Sequence, residues 1–146
     1  MVTVKFPLVL VCVFLWIGFV SAISFLEAWL KFRAPGITMP LGLGIGRLVY
    51  SVLNKIEWVF AIAIILTMFL RAKPFFLPAN MPAIIVVILI LLVQTLWLLP
   101  TLDARATMFI AGKTPGSASY HIYYVIGELI KVAGLFIFGI GLFKTV

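Results

Sequence analysis

The chain is short of charge, and above all of negative charge. Only 10% of its 146 residues are charged, and four of those are acidic. A soluble domain carries roughly 25% charged residues and about half apolar ones, whereas here 65% are hydrophobic and the mean hydropathy is +1.31. So small a chain has too much surface for its volume to hide this quantity of apolar side chain from water, so lipid is the expected solvent for most of it. Histidine and cysteine are equally scarce, with one of each. A single Cys12 excludes an intrachain disulfide and any CxxC redox or zinc motif; inside an apolar run it reads as a small buried hydrophobe. His121 has no neighbouring cysteine and no serine elbow occurs, which disfavours nucleophilic catalysis of the familiar kinds. The length leaves room for one compact unit and no second soluble domain.

What the chain has instead is long apolar runs. A spanning helix needs about 20 mainly apolar residues to cross a hydrocarbon core about 30 Å thick. Four segments qualify, at about 6–30, 48–70, 83–99 and 120–142. The first has Lys5 ahead of it and a small-residue stretch at Val20, Ser21 and Ala22, as a signal peptide would. The apolar pattern continues through Ile23, Phe25, Leu26, Trp29 and Leu30, too far for a signal h-region, so a retained helix is expected. Pro100 predicts a kink in the third span, with an extension as far as residue 111. Ser117 or Ser119 is placed to cap the fourth. Segment 31–47, with Pro35, Pro40, Gly36, Gly42, Gly44 and Gly46, reads as a glycine- and proline-rich connector, and 71–82 reads as a turn. The predicted fold is therefore all-α: an integral membrane, antiparallel four-helix transmembrane bundle forming a single domain over 1–146.

An even number of spans places both termini on one side. Lys5, Arg71, Lys73 and Lys144 fall there; Lys31, Arg33, Arg47, Arg105 and Lys113 fall on the other. The count barely discriminates under the positive-inside rule. The terminal cations have no acidic neighbours, which favours cytoplasmic termini, and a bacterial inner membrane is the expected location. With a net charge of +7 from 11 basic residues, nucleic acid is a partner to consider, but the cations flank apolar runs and form no basic stripe on a soluble face. The lipid bilayer and its phosphates are the expected partners, and nucleic acid is not.

Threading the spans brings all four acids and the histidine to one face. Glu27 ends the first span, Glu57 lies in the first half of the second, Asp103 follows the third, and His121 and Glu128 open the fourth. Counted from residues 48 and 120 at 1.5 Å per residue, Glu57 and Glu128 reach about 13 and 12 Å inward, where an ionised group costs about 2.5–3.5 kcal/mol. Such groups face the bundle interior, pair, or line a wet cavity. Helical spacing agrees. Ser21, Ser24, Glu27 and Lys31 share one stripe, as do His121, Tyr124, Glu128 and Lys131. Asn54 and Glu57 share a face, and Gln94 is the strongly polar interior residue of the third span. Glu27–Lys31 and Glu128–Lys131 are candidate ion pairs.

Three functional readings follow. A metal or proton site would draw on Glu27, Glu57, His121 and Glu128, since facing helices of a bundle supply such ligands; the usual Glu-x-x-His pairs are absent and lysines compete for the carboxylates. No other cofactor is indicated. An anionic ligand, a lipid headgroup or small polar molecule, would meet Lys31, Arg33, Arg47, Lys55, Arg105, Lys113 and Lys131 on the same rim. Gly42, Gly44 and Gly46 lack the preceding strand and the Lys-Ser/Thr ending of a nucleotide loop and suit close packing. An accessory role, with the cluster docking a membrane subunit or a second copy, needs no chemistry; Gly127, Gly134, Gly139 and Gly141 would permit tight helix contact. The leading expectation is a ligand cavity serving transport or membrane enzymology, lined by Glu27, Lys31, Asn54, Glu57, Gln94, Asp103, Arg105, His121, Tyr124, Glu128 and Lys131. The alternative is a non-catalytic assembly subunit. The four-span plan matches the membrane glutathione-transferase and leukotriene-synthase group in size, but the arginine and asparagine pattern of their second helix is missing. The CxxC of vitamin K reductase-like enzymes is missing too, so no family is assigned.

Overall fold

The computed structural model describes residues 2–71, 80–114, 116 and 119–145. Most of the turn expected at 71–82, with Lys73, and Ser117 lie outside the described residues. Among the described residues, four helices are long and apolar enough to cross a membrane: α1 (Pro7–Arg33), α2 (Met39–Arg71), α3 (Met81–Ile110) and α4 (Tyr120–Ile140). α1 packs on α2 and α4, α2 on α3, and α3 on α4, so the four helices close a ring. Short strands β1 (Val2–Val4) and β2 (Phe143–Thr145) pair antiparallel, Thr3 opposite Lys144. The two chain ends therefore meet at one end of the molecule.

Local chemistry explains where the helices begin and stop. Pro7 and Pro82 fall in the first turn of α1 and α3, where an amide hydrogen has no intrahelical partner to lose. Pro40 stands second in α2 for the same reason. Helix α2 consequently begins at Met39, well before the expected start at 48, and the connector from α1 shrinks to 34–38. Gly42, Gly44 and Gly46 are carried inside the helix, and two of them, Gly42 and Gly46, are needed close to α1, while Gly44 has nothing within 4 Å. A Cβ at Gly42 would collide with the Phe32 ring, and one at Gly46 would meet Lys31 Nζ at 3.1 Å. Gly36, at φ +80°, makes the turn. At the other end of α3, Gly112 takes φ +75°. Its N–H donates to Phe109 O and that of Lys113 to Met108 O, both at 3.0 Å, a Schellman closure that satisfies the last carbonyls. Ser119 holds the N-cap position of α4 without a side-chain cap; its carbonyl accepts from Ile122 N at 3.0 Å.

Two helices carry π turns, at Ser21–Glu27 in α1 and Gln94–Leu98 in α3. The second lies just ahead of Pro100, whose ring cannot accept the normal α-helical path behind it. The expected extension beyond Pro100 is present, ending at Ile110.

The core follows the 3.6-residue period. Val9, Val13, Trp16 and Val20 of α1 face Ala61, Ile64 and Met68 of α2, Ile84, Val87 and Leu91 of α3, and Leu135 and Phe138 of α4. Outward positions are just as apolar: Leu48, Phe69, Leu70 and Leu96 are 71% to 83% exposed. Of the most apolar 18-residue window in each helix, only 33%, 33%, 28% and 39% is buried inside the protein. Glycines set the closest approaches. A Cβ at Gly134 would lie 2.7 Å from Val87 and 3.3 Å from Ala83 O, and one at Gly139 would lie 3.2 Å from Val13. Gly18, by contrast, has nothing within 4 Å. Gly134→Leu is thus expected to cost about 1–3 kcal/mol by overpacking, while Gly18→Leu stays near wild type; thermal unfolding of both in detergent decides, and equal losses would refute the packing account.

Candidate functional site

The polar residues separate into two layers. The first is a sealed cluster close to the midpoint of every helix. Lys131 of α4 is fully buried; it hydrogen-bonds to Glu57 Oε1 of α2 and forms an ion pair, at 2.9 Å, with Glu128 Oε1 of its own helix. Trp16 Nε1 of α1 donates to Glu57 Oε1 at 2.9 Å. Gln94 Nε2, from the π turn of α3, donates to Glu128 Oε1 at 2.8 Å. Every helix therefore sends a polar group to one point, and Glu57, Gln94, Glu128 and Lys131 are all 0% exposed. The i,i+3 pair Glu128–Lys131 forms as the spacing predicts; the cross-helix half, with Glu57 and Trp16, is additional.

Side-chain size explains the convergence. Gly127 leaves α4 bare where Gln94 passes, since a Cβ there would stand 3.0 Å from Gln94 Nε2. Trp16 occupies an apolar position of α1, but a buried indole N–H needs an acceptor, and Glu57 supplies it. An ammonium taken out of water costs several kcal/mol unless it is well hydrogen-bonded, so two carboxylates around it offset that cost more fully than one.

The second layer is a cavity of about 590 Å³ between the end of α1, the first half of α2, the second half of α3 and the start of α4. Lys31, Arg47, Tyr50, Asn54, Lys55, Asp103 and His121 are its principal polar lining, with Phe32, Met39, Leu43, Leu99 and Leu102 among the apolar walls. Lys31 pairs with Glu27 at 3.1 Å and lies 5.5 Å from the Tyr50 ring centroid, a cation–π contact. Arg47 grips Asp103 through Nε at 2.5 Å and Nη2 at 3.1 Å. That pair is half exposed and contributes about 1 kcal/mol or less, so either partner can be exchanged. Lys55 and His121 have no ion pair among the described residues. At the floor, Thr95 Oγ1 accepts from Asn54 Nδ2 at 3.0 Å and from Trp58 Nε1 at 2.9 Å while donating to Leu91 O at 2.7 Å. Tyr124 joins the layers: its ring meets Tyr50 edge-on at 5.1 Å, and it is buried on the same stripe as Glu128.

Of the residues expected to share one site, Lys31, Asn54, Asp103 and His121 line the cavity. Glu57, Gln94, Glu128 and Lys131 form the closed cluster, Tyr124 lies between, and Glu27 stands behind Lys31. Arg105 is drawn away: it hydrogen-bonds to Gly116 O and lies 5.4 Å from the Tyr120 ring centroid. Among the described residues no group of three or more His, Cys, Asp or Glu is placed to hold an ion, so Glu27, Glu57, His121 and Glu128 do not surround one centre. Their carboxylates are taken instead by Lys31 and Lys131. Trp16, Arg47, Tyr50, Lys55 and Thr95 are further participants; the sequence marks Arg47 and Lys55 only as rim cations, and Trp16 lies in an apolar run whose pattern does not distinguish it, its role becoming visible only in its contact with Glu57.

Removing one member of a buried ionic cluster leaves unpaired charge and costs about 3–5 kcal/mol, whereas replacing all of it with neutral groups is often tolerated. Lys131→Met is accordingly expected to lower the thermal midpoint sharply, and the triple variant Lys131→Met/Glu57→Gln/Glu128→Gln to recover most of the loss. A triple variant no more stable than the single one would contradict charge pairing as the organising term. Comparison with family models, curated proteins and solved structures finds no match to this chain.

Proposed function

We propose that the chain is an integral membrane protein, its four helices threaded antiparallel through the bilayer, that binds a small anionic ligand in the cavity of the second layer. The observation carrying the ligand reading is the charge of that cavity. Lys31, Arg47 and Lys55 face one lining carboxylate, Asp103, and even with Glu27 behind Lys31 a cation is in excess. Mixed walls fit a ligand with an anionic head and an apolar body: charge-assisted hydrogen bonds fix the head and apolar side chains shield the rest. A lipid headgroup and a free small anion share that chemistry. The ligand serves transport or a membrane enzyme reaction.

The membrane reading rests on the outward apolar faces and on the pairing of the chain ends, which four antiparallel crossings would bring together. With the termini cytoplasmic in a bacterial inner membrane, the cavity opens on the opposite face.

Two experiments test this. In native mass spectrometry of the full chain released from mixed vesicles of phosphatidylglycerol and phosphatidylcholine, the anionic lipid should be retained preferentially, by about tenfold for each 1.4 kcal/mol of selectivity. Lys31→Gln/Lys55→Gln should erase the preference, and competition by inorganic phosphate would assign the site to free anions. Equal retention of the two lipids, together with a stable complex with another membrane protein, would favour the accessory role instead. For topology, single cysteines in a Cys12→Ala background at Ala34 and Lys113 should react with an impermeant maleimide from outside intact cells, and one at Lys5 only after lysis; labelling of Ala34 and Lys113 from opposite sides rules out the threading.

A further inference from the structure

The sealed cluster holds two acids and one base. With all three ionised it carries a net charge of −1 on residues that are each 0% exposed, and among the described residues no other ionic group hydrogen-bonds to it. The remaining polar groups around it are neutral: Trp16 from α1, Gln94 from α3, Tyr50 from α2 and Tyr124 from α4. On α1 the charged residues Glu27 and Lys31 pair with each other. An uncompensated charge in such surroundings costs several kcal/mol. The hydrogen bonding is lopsided as well. Every donor that reaches the acids reaches Oε1, while Oε2 of Glu57 and Oε2 of Glu128 are buried without a partner. A second metal-like cation beside these oxygens would be repelled by the ammonium already at hydrogen-bond distance. A proton adds no volume and removes the charge.

We propose that the Glu57–Lys131–Glu128 cluster carries one exchangeable proton, held on a carboxyl Oε2 and exchanged with the cavity by way of Tyr124 and Tyr50. One proton brings the cluster from −1 to neutral, with Lys131 remaining an ammonium and one acid remaining a carboxylate. The route is set by placement. Tyr50 lines the cavity, the Tyr124 ring packs against it at 5.1 Å, and the hydroxyls of both are buried without a partner. No hydrogen bond joins these hydroxyls to each other or to Oε2 in the resting geometry, so rotation of the phenols or an entering water completes the path. Along it each phenol releases its own hydrogen as it gains another, both end neutral, and the proton passes from the cavity to the acid pair. The assignment does not depend on the anion reading of the cavity, since a cavity containing only water would feed the same path.

Infrared spectroscopy of the full chain in lipid nanodiscs at neutral pH tests it. The wild type should show the carbonyl band of one protonated carboxyl per chain, shifting down in D2O. Either Glu57→Gln or Glu128→Gln should abolish the band, because one acid then balances one base. The chain has only four acids, so the Glu27→Gln/Asp103→Asn variant assigns the band even where the buried variants fail to fold: survival there places it in the cluster. Absence of the band in wild type, or its loss in that double variant, overturns the proposal. Tyr124→Phe should slow deuterium exchange of the band by about tenfold or more, the mark of a barrier raised by at least 1.4 kcal/mol; unchanged exchange in Tyr124→Phe and in Tyr50→Phe would overturn the route.

Discussion

The rest of the structure depends on one fully buried ammonium. Apolar helix faces built from Leu, Ile and Val attract without direction, and a helix can slide along such a neighbour by a turn at little cost. Lys131 forbids that sliding. Its two carboxylates come from α2 and α4, the indole that completes Glu57 comes from α1, and the amide that completes Glu128 comes from α3. Displacing any helix by one turn would strand at least one of these groups without its partner, and unmet buried polar groups are expensive. In lipid, where burial of apolar surface no longer drives helices together, such contacts and the close approaches at Gly127, Gly134 and Gly139 would carry most of the specificity.

The same level divides the molecule. Toward the chain ends lies a dry half, with Val9, Val13, Ile64, Met68, Ile84, Val87 and Phe138 in its core and the β1–β2 pair closing it. Toward the α1–α2 connector lies the half with the cavity, the remaining acids and the histidine. The π turns of α1 and α3 sit at this boundary, where the extra residue of a π turn rotates the side chains that follow it. In α3 that turn presents Gln94 to the cluster and Thr95 to the cavity from adjacent positions, two faces that a regular helix separates by about 100°.

How much of this was legible follows from the range of each interaction. Helix number came from hydropathy, and the Glu27–Lys31 and Glu128–Lys131 pairs from i,i+4 and i,i+3 spacing, because those contacts lie within one element. The gathering of polar residues toward one half was visible from the threading alone. The division of that half into a cavity and a sealed cluster was not. It depends on the rotation of each helix about its axis, which the π turns alter and which no single-helix pattern reports. Helix α2 illustrates another limit: Pro40 and three glycines read as a connector by propensity, yet packing of Gly42 and Gly46 against Phe32 and Lys31 helps to offset a deficit of about 1 kcal/mol per glycine. The centre of three carboxylates and a histidine does not assemble, for a related reason. A shared face is not a shared site: the lysines on the same stripes pair with the acids.

The two layers are opposite in sign, and that opposition has a consequence for how they would work together. The cavity has cations in excess, and the cluster beneath it has acids in excess. A charge gained in one layer alters the field in the other, and the effect carries further through protein and lipid than through water because the dielectric is low. An anion entering the cavity would disfavour negative charge in the cluster and so favour the proton there; the proton, once bound, would strengthen the hold on the anion by the same factor, since such coupling is reciprocal. Tyr50, which lines the cavity, and Tyr124, packed against it on the Glu128 stripe of α4, are the groups through which that coupling would act at shortest range. Neither layer needs to move for this to operate: the bundle's fixed geometry, pinned at Lys131, suffices to make the charge state of one layer part of the affinity of the other.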